Sequence, residues 1–234
     1  MPQPILQRDV AKGTTMDNQF LAGLEPEQRR AVLLRTTRRR YHKGDTIFHE
    51  GDPGSTLHLM TKGFVAIRIT TPMGEAVTLT VLGPDDFFGE QALLSPDSVR
   101  TASAVAVDDV ETITLGYQHF EELRRSDPRV DQLLVAVLAA QVRRLSSRLL
   151  EALYESADTR VGRRLHELAD LFEVVTGAGR VIVPVTQADL ASMAGTTRPT
   201  ANRVLQELVA AGIVELSRGH IDVIDRAALA RGAR

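Results

Sequence analysis

The chain has 234 residues, of which 43% are hydrophobic and 25% charged, and its formal net charge is -2. This length provides for two hydrophobic cores, and the composition is ordinary for a globular protein. The absence of cysteine excludes disulfides, thiolate metal sites, iron–sulfur clusters and cysteine nucleophiles, and is compatible with the cytoplasmic location that we expect. No apolar run approaches the length of a membrane span, and the N-terminus lacks the pattern of a secretion signal, so no membrane contact is expected.

Residues 1–18 are predicted to be a loose tail, and residues 19–34 have helical spacing of apolar side chains, with Pro26 in a first helical turn. From residue 38 to about 115, short apolar or β-branched runs alternate with Gly, Pro and Asp, which predicts an antiparallel β-roll. A short helix over 120–125 follows. We therefore predict a first domain over residues 19–126.

A long helix is predicted over residues 127–157, with Asp127 as N-cap and Pro128 at its first position. Apolar residues recur at three- and four-residue steps from Val130 to Leu153. Such a stripe is long enough to cover the β-roll and to leave a seam for a second copy. We interpret it as the dimerisation helix of a homodimer; the alternative is a helix that packs only on its own domain.

The last predicted domain, residues 158–234, contains an amphipathic helix over 160–172, a short strand at 181–185, two helices and a hairpin over 213–224. Thr186 is expected to cap the first of the two helices with Asp189 as its partner, Gly195 to make a sharp turn, and Thr197 (or Thr196) to cap the second. This pattern predicts a winged helix-turn-helix, and hence an α+β fold class for the whole chain. The side chains predicted to face double-stranded DNA are Thr186, Gln187, Thr197, Arg198, Pro199, Thr200, Asn202, Arg203 and Arg218.

Asn202 and Arg203 lie on the side of the second helix opposite its apolar face, and Arg198 lies at its N-terminal end. Arginine binds guanine, and asparagine adenine, through paired hydrogen bonds in the major groove. Arg218 in the hairpin suits a phosphate contact. The alternative for each is an ordinary solvated surface. In a two-fold dimer, such reading helices predict a near-palindromic operator with half-sites about 10 bp apart.

Two motifs carry a resemblance that extends over about residues 20–224. One is the segment 195–203 of the helix-turn-helix, and the other is Phe88-Gly89-Glu90 followed, after nine residues, by Arg100-Thr101-Ala102. Together they resemble the catabolite-activator (cyclic-AMP receptor, Crp/Fnr) family, which includes oxygen- and haem-sensing regulators. The resemblance implies a cyclic-nucleotide-binding jelly roll, cyclic AMP or another cyclic nucleotide as effector, a homodimer, and RNA polymerase as a further partner.

The second motif also has a direct chemical interpretation. Arg100 is expected to clamp a cyclic phosphate, Thr101 to add a hydroxyl, the backbone at Gly89 to add N–H donors, and Glu90 to accept from the ribose 2′-hydroxyl. The apolar wall for the base is assigned to Leu79 and Leu82. The alternative is that Glu90 and Arg100 form an internal ion pair.

The resemblance also indicates which residues would contact the base of the nucleotide. Where the cyclic-AMP receptor has a Thr-Ser pair on the long helix, this chain has Leu145-Ser146 in an alignment without gaps, so Ser146 is expected to keep one contact and Leu145 none. A shift of three residues would instead place Arg148-Leu149 there. The ligand is thus left open between cyclic AMP, a different nucleotide and none.

Other classes of protein fit less well. An iron–sulfur oxygen sensor needs cysteine, and His42, His49, His58 and His119 are scattered and interpreted as surface or turn residues, so no haem and no metal are expected. A cupin-type metalloenzyme needs clustered ligands, and the chain is not expected to be an enzyme. A cyclic-nucleotide-binding module of a channel or kinase would leave the helix-turn-helix unexplained. The sequence favours neither activation nor repression of transcription.

Overall fold

The computed structural model describes residues 20–21, 24–127, 129–176 and 180–232. The predicted tail and Pro128 lie outside these ranges. The helices are α1 (Pro26–Leu33), α2 (Tyr117–Ser126), α3 (Arg129–Tyr154), α4 (Ala157–Thr176), α5 (Gln187–Met193), α6 (Arg198–Ala210) and α7 (Arg226–Gly232), with a 3₁₀ helix at Glu90–Leu93. The strands are β1 (Thr37–Tyr41), β2 (Thr46–Phe48), β3 (Thr56–Lys62), β4 (Val65–Thr70), β5 (Ala76–Leu82), β6 (Phe87–Phe88), β7 (Ser103–Ala106), β8 (Val110–Gly116), β9 (Val181–Val183), β10 (Val214–Ser217) and β11 (His220–Val223). The α+β class is confirmed.

The first eight strands form two antiparallel sheets, in the orders β1-β8-β3-β6 and β2-β7-β4-β5. Apolar residues between them form the interior of the roll. Gly63 illustrates why glycine lies at the turns: its φ is +80°, and an added Cβ would lie 2.5 Å from the carbonyl oxygen of Asp109. The predicted β-roll is therefore present.

The N-terminal helix is shorter than its apolar spacing predicts. It begins at Pro26, where Glu25 and Gln28 form a capping box. Phe20 and Leu21 precede the helix but are fully buried in the core beneath α1, α2 and the first half of α3. Phe20 and Leu21 are therefore apolar because they are buried, and not because they belong to a helix.

The long helix begins as predicted but ends earlier. The backbone N–H of Arg129 donates to the Asp127 carboxylate at 3.0 Å, which confirms the N-cap. The helix stops at Tyr154 and not at residue 157, because Ser156 caps α4 by accepting from the N–H of Thr159 at 3.1 Å. The chain therefore turns into a separate helix where the apolar pattern alone predicts continuity.

The helix-turn-helix has the predicted local structure. Thr186 and Asp189 form a complete capping box at α5, Gly195 has a φ of +59°, and the Thr197 side chain accepts from the N–H of Thr200 at the start of α6. The inner face of α6 is buried, and the hairpin β10–β11 continues into β9 to form the wing sheet. These predictions are confirmed.

Candidate ligand cavity and nucleic-acid interface

A cavity of about 420 Å³ lies between the sheet that ends in β5, the segment around the 3₁₀ helix, and α3. The predicted ligand residues that line it are Leu79, Leu82, Gly89, Glu90, Arg100 and Thr101. Ser146 is exposed and outside this lining. Leu145, from which no contact was expected, lines the cavity.

Arg100 is the central charged group of this cavity and is only 7% exposed. Its Nη2 donates to the carbonyl oxygen and the hydroxyl of Thr56 at 2.9 and 3.0 Å, and its Nη1 donates to the carbonyl oxygen of Gly89 at 3.3 Å. Its guanidinium carbon lies 4.0 Å from the centre of the Phe48 ring, a cation–π contact. Among the described residues its buried Nε has no hydrogen-bond partner.

The interpretation of Glu90 and Arg100 as an internal ion pair is not supported. The ion pairs among the described residues do not include one between them. Burial lowers the pKa of Arg100, and the more distant charges of Glu90 and Asp52 oppose this effect. A buried guanidinium without a paired carboxylate suits an anionic ligand.

Gly89 lies directly against the Arg100 side chain, with no room for a side chain of its own. Its φ is +76°, and an added Cβ would lie 2.4 Å from Nη1 of Arg100. Because both the backbone conformation and the space exclude a side chain, glycine at this position permits the buried position of Arg100.

The wall of the cavity formed by α3 contains residues that the sequence reasoning missed. Gln141 and Arg144 line it without having been singled out, and their helical spacing is the signal that would have identified them. Leu145 and Arg148, which the sequence placed near the base in one alignment or the other, line it as well. Nη1 of Arg148 lies 3.5 Å from the carbonyl oxygen of Leu79. Burial lowers the pKa of Arg148, and the positive charge of Arg144 lowers it further.

His58 is not the surface or turn residue that was predicted. It lies in β3, is 5% exposed, and stacks on Phe88 with ring centroids 4.8 Å apart. Burial, and then the positive charge of Arg100, lower its pKa from 6.5 to about 3. The other three histidines singled out from the sequence are exposed.

We predict a pH dependence of stability from His58. Because its pKa is lower in the folded than in the unfolded chain, its neutral ring stabilises the fold above about pH 6.5, and this contribution is lost as the pH falls towards 3. Between pH 7 and 5 the free energy of unfolding should fall by about 2 kcal/mol through this group. Urea unfolding of wild type, His58→Gln and the exposed control His119→Gln at both pH values measures the difference. An unchanged pH dependence in His58→Gln would contradict the prediction.

The predicted DNA-facing surface of α6 is accessible but partly neutralised. Arg198 and Pro199 are exposed at its first turn, and Asn202 is partly exposed. Arg203 forms ion pairs with Asp158 at the start of α4 and, at 2.6 Å, with Glu207. Arg203 must therefore share or release these carboxylates to contact a base. Arg218 is exposed in the turn between β10 and β11.

The β-roll domain (the sensor) and the helix-turn-helix domain of residues 158–234 (the reading head) are in direct contact, which the sequence did not suggest. The Thr78 hydroxyl on β5 donates to the Asp189 carboxylate on α5 at 2.6 Å, and the Phe64 and Phe172 rings pack with centroids 4.1 Å apart. Burial opposes ionisation of Asp189, but hydrogen bonds from Thr186 and Thr78 hold its pKa below the usual value. The two domains are therefore connected by side-chain contacts as well as by the chain that runs through the long helix.

Within the described ranges, no helix is both long and apolar enough to cross a membrane. In the same part of the chain, no group of three or more His, Asp and Glu side chains is arranged to hold a metal ion.

Comparison with known proteins agrees with this two-part organisation. Residues 38–127 match the family model of the cyclic nucleotide-binding domain, and residues 159–231 match that of the Crp-like helix-turn-helix domain. The chain is 37% identical over 207 residues to the cyclic AMP receptor protein of Thermus thermophilus, covering 88% of this chain and 93% of the relative. It is 30% identical over 213 residues to the CRP-like cAMP-activated global transcriptional regulator of Mycobacterium tuberculosis, covering 91% and 95%. The chain belongs to the Crp/Fnr family.

Solved structures of Crp/Fnr regulators have the same fold. The catabolite activator protein of Thermus thermophilus is 35% identical, with 92% of this chain and 97% of that chain covered and a TM-score of 0.52. A second Crp/Fnr transcriptional regulator of that organism is 26% identical, with 84% and 98% covered and a TM-score of 0.69. This Crp/Fnr chain is accordingly a DNA-binding transcription regulator with a cyclic-nucleotide-binding domain.

Proposed function

We propose that this Crp/Fnr regulator binds cyclic AMP in the β-roll cavity, acts as a homodimer in the cytoplasm, and thereby changes its affinity for a near-palindromic operator. The observation that carries the ligand proposal is the buried Arg100, whose Nε has no acceptor among the described residues. The names of the relatives in Thermus thermophilus and Mycobacterium tuberculosis support cyclic AMP as the first candidate.

Each predicted ligand residue of the cavity lining has a role that its position supports. Arg100 and the hydroxyl of Thr101 bind the cyclic phosphate, helped by the backbone after Gly89, and Glu90 accepts from the ribose 2′-hydroxyl. Leu79 and Leu82 contact the base, and Ser146 of a second copy adds a hydrogen bond.

A different nucleotide is the second candidate, and the arginines on α3 favour it. Arg144 and Arg148 line the cavity, and an arginine fork matches the O6 and N7 acceptors of guanine better than the amino group of adenine. Calorimetric titration of the purified full chain with cyclic AMP and cyclic GMP tests the ligand. Binding of cyclic GMP alone would replace the first candidate by the second.

For DNA we propose that α6 enters the major groove. Arg198, Asn202 and Arg203 contact base edges. The groups assigned to phosphate and backbone contacts are Thr186, Gln187, Thr197, Pro199, Thr200 and Arg218. RNA polymerase is proposed as a further partner on the basis of the family resemblance. Selection from random DNA tests the DNA proposal, and failure to enrich any two-fold symmetric sequence would reject it.

Ligand and DNA affinity are coupled, in this proposal, through two elements. The ligand contacts α3, whose later half forms the dimer seam, and β5, in which neighbouring residues point to opposite faces. Leu79 lines the cavity, whereas Thr78 binds Asp189 of the reading head. A ligand that moves β5 therefore acts on α5, and DNA acts on the ligand affinity by the same factor.

Replacing Arg203 by alanine should cost about 1–3 kcal/mol of specific operator binding and relax the base preference at one position. Because Asp158 and Glu207 already neutralise this side chain, we expect the lower part of that range. Titration against a set of single-base operator variants measures both effects. Arg218→Ala is the control, since loss of a phosphate contact should weaken all operators equally. An unchanged base preference in Arg203→Ala would contradict its reading role.

A further inference from the structure

A line of polar side chains crosses the roll behind Arg100. Nη2 of Arg100 donates to the Thr56 hydroxyl at 3.0 Å, this hydroxyl lies 3.2 Å from Nε2 of His58, and Nδ1 of His58 lies 3.4 Å from the Thr112 hydroxyl. None of these groups except Arg100 lines the cavity.

The charge of Arg100 sets the direction of these hydrogen bonds. A guanidinium only donates, so the Thr56 oxygen accepts from it and the Thr56 proton is available to His58. A neutral imidazole has its negative end at the nitrogen without a proton. That end is most favourable when it faces the guanidinium, which places the bare nitrogen at Nε2 and the proton at Nδ1, where it is donated to Thr112.

We propose that Thr56 and His58 are positioning residues for the nucleotide site: neutral His58 accepts from the Thr56 hydroxyl, and Thr56 holds the Arg100 guanidinium in one orientation. In this orientation the Nη groups of Arg100 are held by the protein. Its Nε lies beside Gly54, which also lines the cavity, and lacks an acceptor among the described residues. The inference rests on the proposed function, since it assigns Arg100 to the ligand.

Two further features fit a positioning role. The ring of His58 packs against two aromatic rings, by stacking on Phe88 and by contact with Phe48 at a centroid distance of 5.8 Å. Phe48 is also the ring under the Arg100 guanidinium. A histidine held this rigidly, in a core position that an apolar residue would fill at lower desolvation cost, is explained by its hydrogen bond to Thr56.

The first test uses calorimetric titration of the full chain with cyclic AMP. Thr56→Val removes the hydroxyl and keeps the shape and the backbone carbonyl, and it should weaken binding by about tenfold or more. Thr56→Ser keeps the hydroxyl and should restore binding to within about threefold of wild type. Thr114→Val is the matched control: Thr114 lies opposite His58 on β8, but its hydroxyl donates to the carbonyl oxygen of Thr37. Binding by Thr56→Val within twofold of wild type would overturn the proposal.

The second test uses nitrogen-15 NMR, and its first readout, the His58 ring, is taken on wild type alone and so does not depend on any variant folding. The His58 ring should show a protonated Nδ1 and a bare, hydrogen-bonded Nε2; a protonated Nε2 would overturn the proposal. The Arg100 guanidinium should rotate slowly in wild type and faster in Thr56→Val. If wild type binds no cyclic AMP, the ligand proposal fails on its own. The guanidinium signals then decide whether Thr56 holds Arg100. Equal rotation rates in wild type and Thr56→Val would reject the positioning role of Thr56.

Discussion

Replacement of Arg100 by alanine is expected to weaken cyclic AMP binding by about 100-fold or more, the largest effect among the ligand residues. The reason is that Arg100 is a buried cation of the cavity whose Nε has no acceptor within the described part of the chain, so that folding already places a desolvated charge where we propose that the phosphate binds. Calorimetric titration of the purified protein measures the loss. Arg100→Lys keeps the charge but not the planar fork and should give an intermediate affinity.

The matched control for this experiment is Arg38→Ala. Arg38 lies on β1, is exposed, and pairs with Glu111 on the outside of the roll, so its loss should leave the affinity unchanged. If Arg100→Ala binds cyclic AMP as wild type does, the cavity does not use this motif for the phosphate. If wild type itself binds neither cyclic AMP nor cyclic GMP, the effector proposal fails while the DNA-binding assignment stands.

The second large effect is expected from Leu149→Glu on the long helix. The first half of α3 is buried on the roll, but Val142, Leu145, Leu149 and Leu153 in the second half are 60–64% exposed. An apolar row of this kind on a single chain suits a helix–helix seam with a second copy. A charge in the centre of the row should produce a monomer at micromolar concentration, as light scattering would show.

The same substitution should reduce operator affinity by about 100-fold or more, because a monomer engages one half-site at a time. Gln132→Glu adds the same charge to an exposed position of α3 outside the apolar row and should leave both the mass and the operator affinity unchanged. A dimeric Leu149→Glu protein with full operator affinity would place the dimer interface elsewhere.

Much of the reading head could be predicted from sequence because its signals are local. Thr186, Asp189, Gly195 and Thr197 act within one helical turn of their own positions, and their capping and turn geometry is as expected. The β-roll was predicted for the same reason, from glycines at turns between short apolar runs. Strand β1 gave no such signal, because four of its five residues are exposed and three are arginines.

The candidate ligand site could be predicted only in part. The Gly89–Glu90 and Arg100–Thr101 motif lies in one stretch of chain, so its residues were identified together. Gln141 and Arg144 of the α3 wall were missed because they face the cavity only once the first half of the helix has packed on the roll. Their spacing is visible in the sequence, but which side of the helix would meet the roll is not.

The sequence by itself determined the order of the parts, the capped helices of the reading head and the position of the motif proposed to bind phosphate, since these depend on residues close together in the chain. Only the tertiary structure decided that His58 is buried behind Arg100 and that Thr78 binds Asp189, 111 residues away. Threonine, histidine and aspartate are ordinary surface residues in isolation. Their burial and their partners depend on which elements pack together, a long-range outcome that no local spacing encodes.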